Sequence, residues 1–348
     1  MLASPAMRAA ALAAALLGAR ARAAPALSAD AALYAFAIRG ANQTGELAST
    51  ALIDAVSGAV RYTAESFNHG SDAFCSTAFR KSPASYFVPS FLKDGDKVKV
   101  QLQTIGAGTG HVDHAVNLSV FYSWPAAAYD DETGLLWAIA IPENGGSDII
   151  TVHAATGTVE VVKAQIGLPD IQLCEAAFFN DQFFFAWMDD TSQIICTWDV
   201  ASQQLSQRHY VMCPGECRGG MNTIVPYLPD PSVNETHLLA MAVYGGPGAP
   251  TPQVISIDPA VDDSITVLAT CPEDTISSPQ GAGAYDPVNR NFYNVMLYTN
   301  NTGGIDVFYQ LITTNVDKPA YEITRIVEPG KPANPPAVEL WSIDVGAK

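Results

Sequence analysis

The sequence predicts an all-β chain built from about six copies of one four-stranded unit. Three observations predict it. Its apolar runs are too brief for helices, its turn residues return about every fifty positions, and helical periodicity is nowhere visible. Composition sets the background: of 348 residues, 48% are apolar and 15% charged, which excludes a disordered chain. The length provides ample material for a core.

The apolar runs are 32–38 (ALYAFAI), 135–141 (LLWAIAI), 183–188 (FFFAWM), 238–244 (LLAMAVY) and 292–298 (FYNVMLY). A strand with one wet face would alternate, and a helix would be longer, so each run reads as a strand buried on both faces. A turn residue stands just ahead of each: Asp30, Asp130, Asn180, Asp230 and Asp286. The last four are spaced 50, 50 and 56 apart, and Asp30 stands 100 before Asp130. The missing member falls near position 80, where Arg80-Lys81-Ser82-Pro83 precedes Tyr86-Phe87-Val88.

Upstream of the anchor comes a stretch of small residues ending in an aromatic, at 126–129, 176–179 and 281–285. Downstream comes a third strand ending in a polar turn residue, at 51–54, 149–153, 194–199 and 254–258. Gly58 and Gly157 stand four residues past Asp54 and His153 and mark a tight turn into a fourth strand. The fourth strands are 59–63, 158–162, 205–209 and 265–268.

Four strands per repeat without helices describe the blade of a β-propeller. About 320 residues from Asp30 onward make six blades, with seven as the alternative count, and 339–345 (ELWSIDV) is left over. That segment closes the ring by adding a strand to the N-terminal blade, which removes unpaired edges. Two stacked β-sandwiches are the competing architecture, although sandwiches require no fifty-residue period. In repeat style the chain resembles the generic β-propeller superfamily, six- or seven-bladed and YVTN/lactonase-like, whose blades carry an Asp-x-x-x-Gly turn before the outer strand. The resemblance covers nearly the whole mature chain and points to no specific family. The sequence lacks a sialidase Asp box, a WD series, a Tyr-Trp-Thr-Asp repeat and a D-x-D-x-D-G calcium loop, and Trp198-Asp199 is a lone pair.

The first 29 residues contain no acid; Arg8 precedes an Ala/Leu run at 9–17, and Ala21-Arg22-Ala23 is an A-x-A cleavage site. This reads as a secretory signal peptide over 1–23, followed by a single propeller domain over 24–348. An organelle transit peptide is the alternative, because Arg8, Arg20 and Arg22 stand in an acid-free stretch. No apolar run reaches the roughly 18 residues a membrane span needs. Removing 1–23 leaves 15 basic against 35 acidic residues, about −20, which argues against a nucleic-acid partner.

Six cysteines and four N-x-S/T sequons, at Asn42, Asn117, Asn234 and Asn300, agree with a secreted or secretory-lumen glycoprotein. The register puts Asn42 and Asn300 in 2–3 loops, Asn234 in a 1–2 turn and Asn117 near the start of a fourth strand. Cys75 and Cys174, 99 residues apart, hold equivalent places in blades two and four. Those blades are not neighbours, and a disulfide needs Cα atoms within about 7 Å. The expected bridges join Cys174, Cys213, Cys217 and Cys271 in two pairs, with Cys196 buried and free. Zinc at Cys213-x-x-x-Cys217 is the rival reading.

The repeated Asp/Asn anchors read as turn formers whose side chains bond their own backbone. His111-Val112-Asp113-His114 could meet a cation from a loop but lacks a third local ligand. The preceding Gly106-Ala107-Gly108-Thr109-Gly110 is no phosphate loop, since it lacks the Gly-Lys-Ser/Thr ending. The working face is expected where the irregular 2–3 and 4–1 loops lie. It gathers His69, Asp72, Glu143, Asn144, Asp189 and Glu273, with Asp190, Glu216, Arg218, Tyr244 and Asp274 beside them. Such groups could hold a divalent cation, as in lactonase-like propellers, serve as acid and base on a glycoside, or form a solvated acidic rim. No G-x-S-x-G elbow is present. The sequence therefore reads as a secreted module binding a protein or carbohydrate ligand. An extracellular hydrolase of lactonase or glycosidase type is the alternative.

Overall fold

A computed structural model describes residues 31–347 except 43–44, 64–66, 69–76, 95–96, 119–122, 143–144, 169–174, 189–191, 212–219, 246–249, 272–274, 278–282, 301–305 and 327–338. Blade 1 holds β1 (Ala31–Asn42), β2 (Gly45–Ile53) and β3 (Val60–Tyr62), with a short β4 (Phe67–Asn68) on β2. Blade 2 runs through β5 (Ala78–Arg80), β6 (Ser85–Asp94), β7 (Lys97–Gly106) and β8 (Val112–Asn117). Blade 3 is β9 (Ser123–Tyr129), β10 (Leu135–Ile141), β11 (Asp148–His153) and β12 (Thr158–Lys163). Blade 4 is β13 (Glu175–Phe179), β14 (Gln182–Met188), β15 (Ser192–Asp199) and β16 (Gln204–Val211). Blade 5 is β17 (Gly220–Tyr227), β18 (His237–Gly245), β19 (Pro250–Ile257) and β20 (Ile265–Thr270). Blade 6 starts with β21 (Thr275–Ser277) and β22 (Gly283–Asp286), both paired to β23 (Asn291–Asn300). It continues in β24 (Asp306–Asn315) and β25 (Lys318–Arg325).

The last strand, β26 (Glu339–Ala347), pairs antiparallel with β1 from Ala31↔Ala347 to Ile38↔Glu339 and becomes the first strand of blade 1. The chain is thus a six-bladed β-propeller closed by its C-terminal strand, and the count of seven is set aside. No helix occurs among the described residues.

Packing explains why the second strands read as unbroken apolar runs. Six apolar clusters form, one between each pair of neighbouring blades, and the cluster of Leu33, Ile343, Tyr293 and Leu311 joins blade 6 to blade 1. Alternate residues of one strand serve opposite interfaces. In β10, Leu136, Ala138 and Ala140 belong to the blade 2–3 cluster, whereas Trp137 and Ile139 belong to the blade 3–4 cluster. In β14, Phe183 and Phe185 pack toward blade 3, and Phe184 and Ala186 toward blade 5. Phe183, Phe184 and Phe185 are all fully buried, each contributing about 2 kcal/mol of burial. A closed ring of such interfaces replaces the two facing layers of a sandwich.

The anchors behave as turn formers. Asp130 accepts the Glu132 N–H at 2.9 Å, Asp230 that of Ser232 at 2.8 Å and Asp286 that of Val288 at 2.9 Å. Asn180 takes the left-handed conformation at φ 51°. Gly58 and Gly157, at φ 70° and 71°, donate to the carbonyls of Asp54 and His153, both at 2.8 Å. Both turns press on the outer strand of the preceding blade. A β-carbon at Gly58 would stand 2.1 Å from the Arg325 carbonyl oxygen, and one at Gly157 would stand 2.7 Å from that of Asn117.

Two expectations need correction. Asn117 ends the outer strand β8 and does not open it, because that strand begins at Val112. Cys271 is a free, buried thiol, so the bridge expected through it is absent. Its backbone N–H is fixed on the Pro252 carbonyl at 2.8 Å, and its side chain fills the apolar blade 5–6 interface among Val254, Ala269 and Phe292. Cys196 is likewise free and buried, in the blade 3–4 interface. Burial pushes both thiols up to about 12, as expected of packing residues that are not nucleophiles. Cys75, Cys174, Cys213 and Cys217 lie outside the described residues.

Candidate functional site

The first strand of every blade has a sheet partner on one side only. These six strands, β26, β5, β9, β13, β17 and β22, stand around the axis, and from β5 round to β26 each touches the next. Between them lies a channel of about 520 Å³ that opens on the face carrying the 1–2 turns. That volume suits a small ligand or a short stretch of chain, whose pockets run from roughly 300 to 1,000 Å³. The free strand edges direct backbone N–H and C=O groups toward the bore.

Sequence explains why the bore stays open. The wall is made of Ala78, Ala127, Ala177, Thr223 and Gly283, side chains too small to fill it. At Gly283 the neighbouring inner strand comes so close that a β-carbon would meet the Thr223 side chain at 2.7 Å. Toward the mouth each small stretch ends in an aromatic, and Phe79, Tyr129, Phe179 and Tyr285 form a collar. Second-strand and neighbouring rings hold the collar in place. Tyr129 stacks on Phe87 at 4.6 Å, Phe79 meets Tyr86 at 5.0 Å, and Tyr285 is edge-on to Tyr227 at 5.6 Å. Burial pushes the Tyr285 phenol up to about 12, so its hydroxyl stays neutral and free to donate or accept.

Charge gathers on the rim. Asp131, Glu132, Asp181 and Lys81 line the mouth, all exposed, and Asp344 lines it half-buried. Arg290 lines it too, but its guanidinium is already used. It binds Asp317 at 2.7 Å and donates to the carbonyls of Leu228 at 3.1 Å and Pro229 at 2.7 Å, tying the blade 5 turn to blade 6. Desolvation raises the Asp131 carboxyl above its ordinary value and Asp130 adds to the rise, whereas Lys81 and Arg80 oppose it. With Arg290 satisfied, the mouth carries an excess of acid.

The expected working residues His69, Asp72, Glu143, Asn144, Asp189 and Glu273 lie outside the described residues, as do Asp190, Glu216, Arg218 and Asp274. Tyr244 falls within β18, with its side chain outside the description. The 111–114 motif is not assembled as a cation site among the described residues. His114 Nε2 is bonded to the Ala155 carbonyl at 3.1 Å, which joins blade 2 to the 3–4 turn of blade 3. Asp113 and His114 also alternate across a strand and so point to opposite faces. The channel on the 1–2 face is what sequence reading missed. Its signal was present, since the recurring small residues ending in an aromatic are its wall and collar.

No family model and no curated protein matches the chain. Among solved structures, TolB from Acinetobacter baumannii aligns at TM-score 0.53 and 15% identity, over 98% of this chain and 71% of its own. A protein assigned as TolB from Agrobacterium tumefaciens aligns at 0.48 and 12% identity, over 92% and 98%. One assigned as a 6-phosphogluconolactonase from Bacteroides fragilis aligns at 0.49 and 9% identity, over 92% and 99%. The likeness to the first is one of fold alone.

Proposed function

We propose that the chain is a secreted binding propeller whose channel takes an extended peptide segment, with a cationic group of that segment at the acidic mouth. The channel wall carries this reading. Six strand edges without a sheet partner offer backbone donors and acceptors to an extended peptide, as in strand addition to an open sheet edge. The aromatic collar supplies apolar contact around that backbone, and Asp131, Glu132 and Asp181 favour a Lys, Arg or amino-terminal charge. The channel belongs to a mature chain of about −20, which steers cations toward it.

Fluorescence anisotropy with a library of short Lys- and Arg-bearing peptides tests the reading on the mature chain. Ala177→Trp, which fills the bore, and Tyr285→Ala, which removes an aromatic anchor, are each expected to weaken binding about tenfold or more. Asp131→Asn is expected to weaken it a few-fold, with the effect fading at high salt. The same variant should leave the thermal midpoint level or slightly higher. A carboxyl whose folded value lies above its unfolded one costs stability once ionised, and asparagine removes that cost. Lowering the pH should neutralise Asp131 before an ordinary aspartate, so binding should begin to fall at a higher pH than an ordinary carboxylate would give. Unchanged affinity in Ala177→Trp, with the fold intact by circular dichroism, would refute the channel as the site. Turnover of a lactone or glycoside panel without stoichiometric peptide binding would favour the hydrolase.

Secretion rests on the 1–23 leader and on the sequons. Two of these have suitable geometry: Asn117 and Asn234 are exposed, and both accept through Oδ1, from Gln101 at 2.9 Å and Asn180 at 3.0 Å. Nδ2, which would carry a glycan, is not used in either bond. Intact mass of the exported protein is expected to show a start at Ala24 and a loss of mass on enzymatic deglycosylation. A mass equal to the full 348-residue chain would refute this part.

A further inference from the structure

We infer that blade 5 carries a second site, away from the channel, in which Glu235, His237 and Asp258 hold a divalent metal ion of zinc-like chemistry. Topology brings the three together. In the β18–β19 pairing, Leu238 faces Ile257, so one step outward His237 faces Asp258. Directly opposed residues have β-carbons about 4.5–5.5 Å apart. Glu235 lies two positions before His237, in the connection that leads into β18. One ligand atom from each lies within 4.8 Å of the others, and His237 Nε2 is 3.6 Å from Glu235 Oε1. Donors around a tetrahedral ion with bonds of 2.0–2.2 Å stand roughly 3.5 Å apart, so small side-chain adjustments close the site.

His237 and Asp258 are each held by a partner that leaves a donor atom available. His237 Nδ1 faces the buried Ser256 hydroxyl at 3.4 Å, and that hydroxyl is bonded to the Tyr227 phenol at 2.7 Å. A proton on Nδ1 leaves the Nε2 lone pair on the side of the Glu235 carboxylate, the arrangement by which an outer partner orients a metal-bound imidazole. Glu235 is exposed, but its turn is pinned on both sides. Asn180 of blade 4 donates to Asn234 Oδ1 at 3.0 Å and to Thr236 Oγ1 at 3.1 Å. Asp258 spends Oδ1 on the Ala260 N–H at 2.8 Å, and its backbone carbonyl takes the Tyr210 hydroxyl at 2.8 Å. Oδ2 remains for the metal.

Beside Glu235 and Asp258 lies a polar cleft of about 330 Å³ between blades 4 and 5, with room for an ion and its water. The basic group lining it, Arg208, gives its Nε–H to the Ala260 carbonyl at 2.9 Å. One imidazole and two carboxylates suit zinc and similar transition ions, whereas calcium asks for six to eight oxygens. Three protein ligands leave the fourth position to water.

The test is titration of the chelator-treated mature chain with Zn²⁺, read by calorimetry and by thermal shift, and with Co²⁺, read by absorbance. One equivalent is expected to bind and to raise the melting temperature. His237→Gln and Asp258→Asn are each expected to weaken binding about tenfold or more, whereas Glu160→Gln on the outer strand of blade 3 leaves it unchanged. The Co²⁺ spectrum should lack a thiolate charge-transfer band, which separates this site from Cys213 and Cys217. No binding at micromolar zinc, equal affinity in all variants, or a thiolate spectrum would each overturn the proposal.

Discussion

Removing residues 339–348 is expected to cost the chain its monomeric fold. The deleted segment contains β26, the first strand of blade 1, and contributes Ile343, fully buried in the blade 6–1 cluster. It also ties three blades together. The Tyr34 hydroxyl donates to the Ala347 carbonyl at 2.8 Å, the Ala347 N–H donates to the Lys81 carbonyl of blade 2 at 3.0 Å, and Gly346 lies against Phe79. Without it, β1 shows a bare edge, and Leu33, Ala35 and Ala37 lose cover. An unpaired apolar edge is a template for aggregation. Size-exclusion chromatography should find the truncated chain in soluble aggregates or absent from the soluble fraction, without a cooperative thermal transition. A monomer melting within about 5 °C of the parent would show that the ring does not depend on this strand.

Gly58→Ala is expected to be the most damaging single-methyl change. At φ 70° an alanine is strained by about 1 kcal/mol on backbone grounds alone. The new methyl would also lie 2.1 Å from the Arg325 carbonyl oxygen, so either the 3–4 turn of blade 1 or the whole outer strand of blade 6 must move. A backbone carbonyl cannot swing aside as a side chain can. A loss of about 3 kcal/mol is expected, seen as a fall of roughly 5 °C or more in the thermal midpoint. Gly157→Ala, with a 2.7 Å approach to Asn117, should behave alike but more mildly. Gly145→Ala offers the contrast, since it has a positive φ with nothing within 4 Å. If Gly58→Ala and Gly145→Ala melt together, the contact between blades carries none of the cost.

The legible parts of this fold are those set by local chemistry. Runs such as FFFAWM betray strands wetted on neither face, because Phe183, Phe184 and Phe185 must each find an interface on alternate sides. Asp130, Asp230 and Asp286 recur because the same Asx turn closes the same hairpin in blades 3, 5 and 6. The tail ELWSIDV was assignable as the closing strand since six units left one first strand unsupplied. The 126–129 and 176–179 stretches were readable as repeat markers, but their role as a channel wall was not. Small side chains pattern alike whether they are crowded by a neighbour or face open space.

By itself the sequence determined the period, the strand order, the turn chemistry and the ring closure, because each follows from residues within one repeat and is restated in the next. Tertiary structure alone decided where the cavity opens, that Cys271 packs without a partner, and that Glu235, His237 and Asp258 meet. Those three ligands span two strands and a turn, and their meeting depends on the register of β18 against β19 and on Asn180 reaching across from another blade. Register between strands and contact between blades are sums over many distant side chains, and no local pattern encodes them.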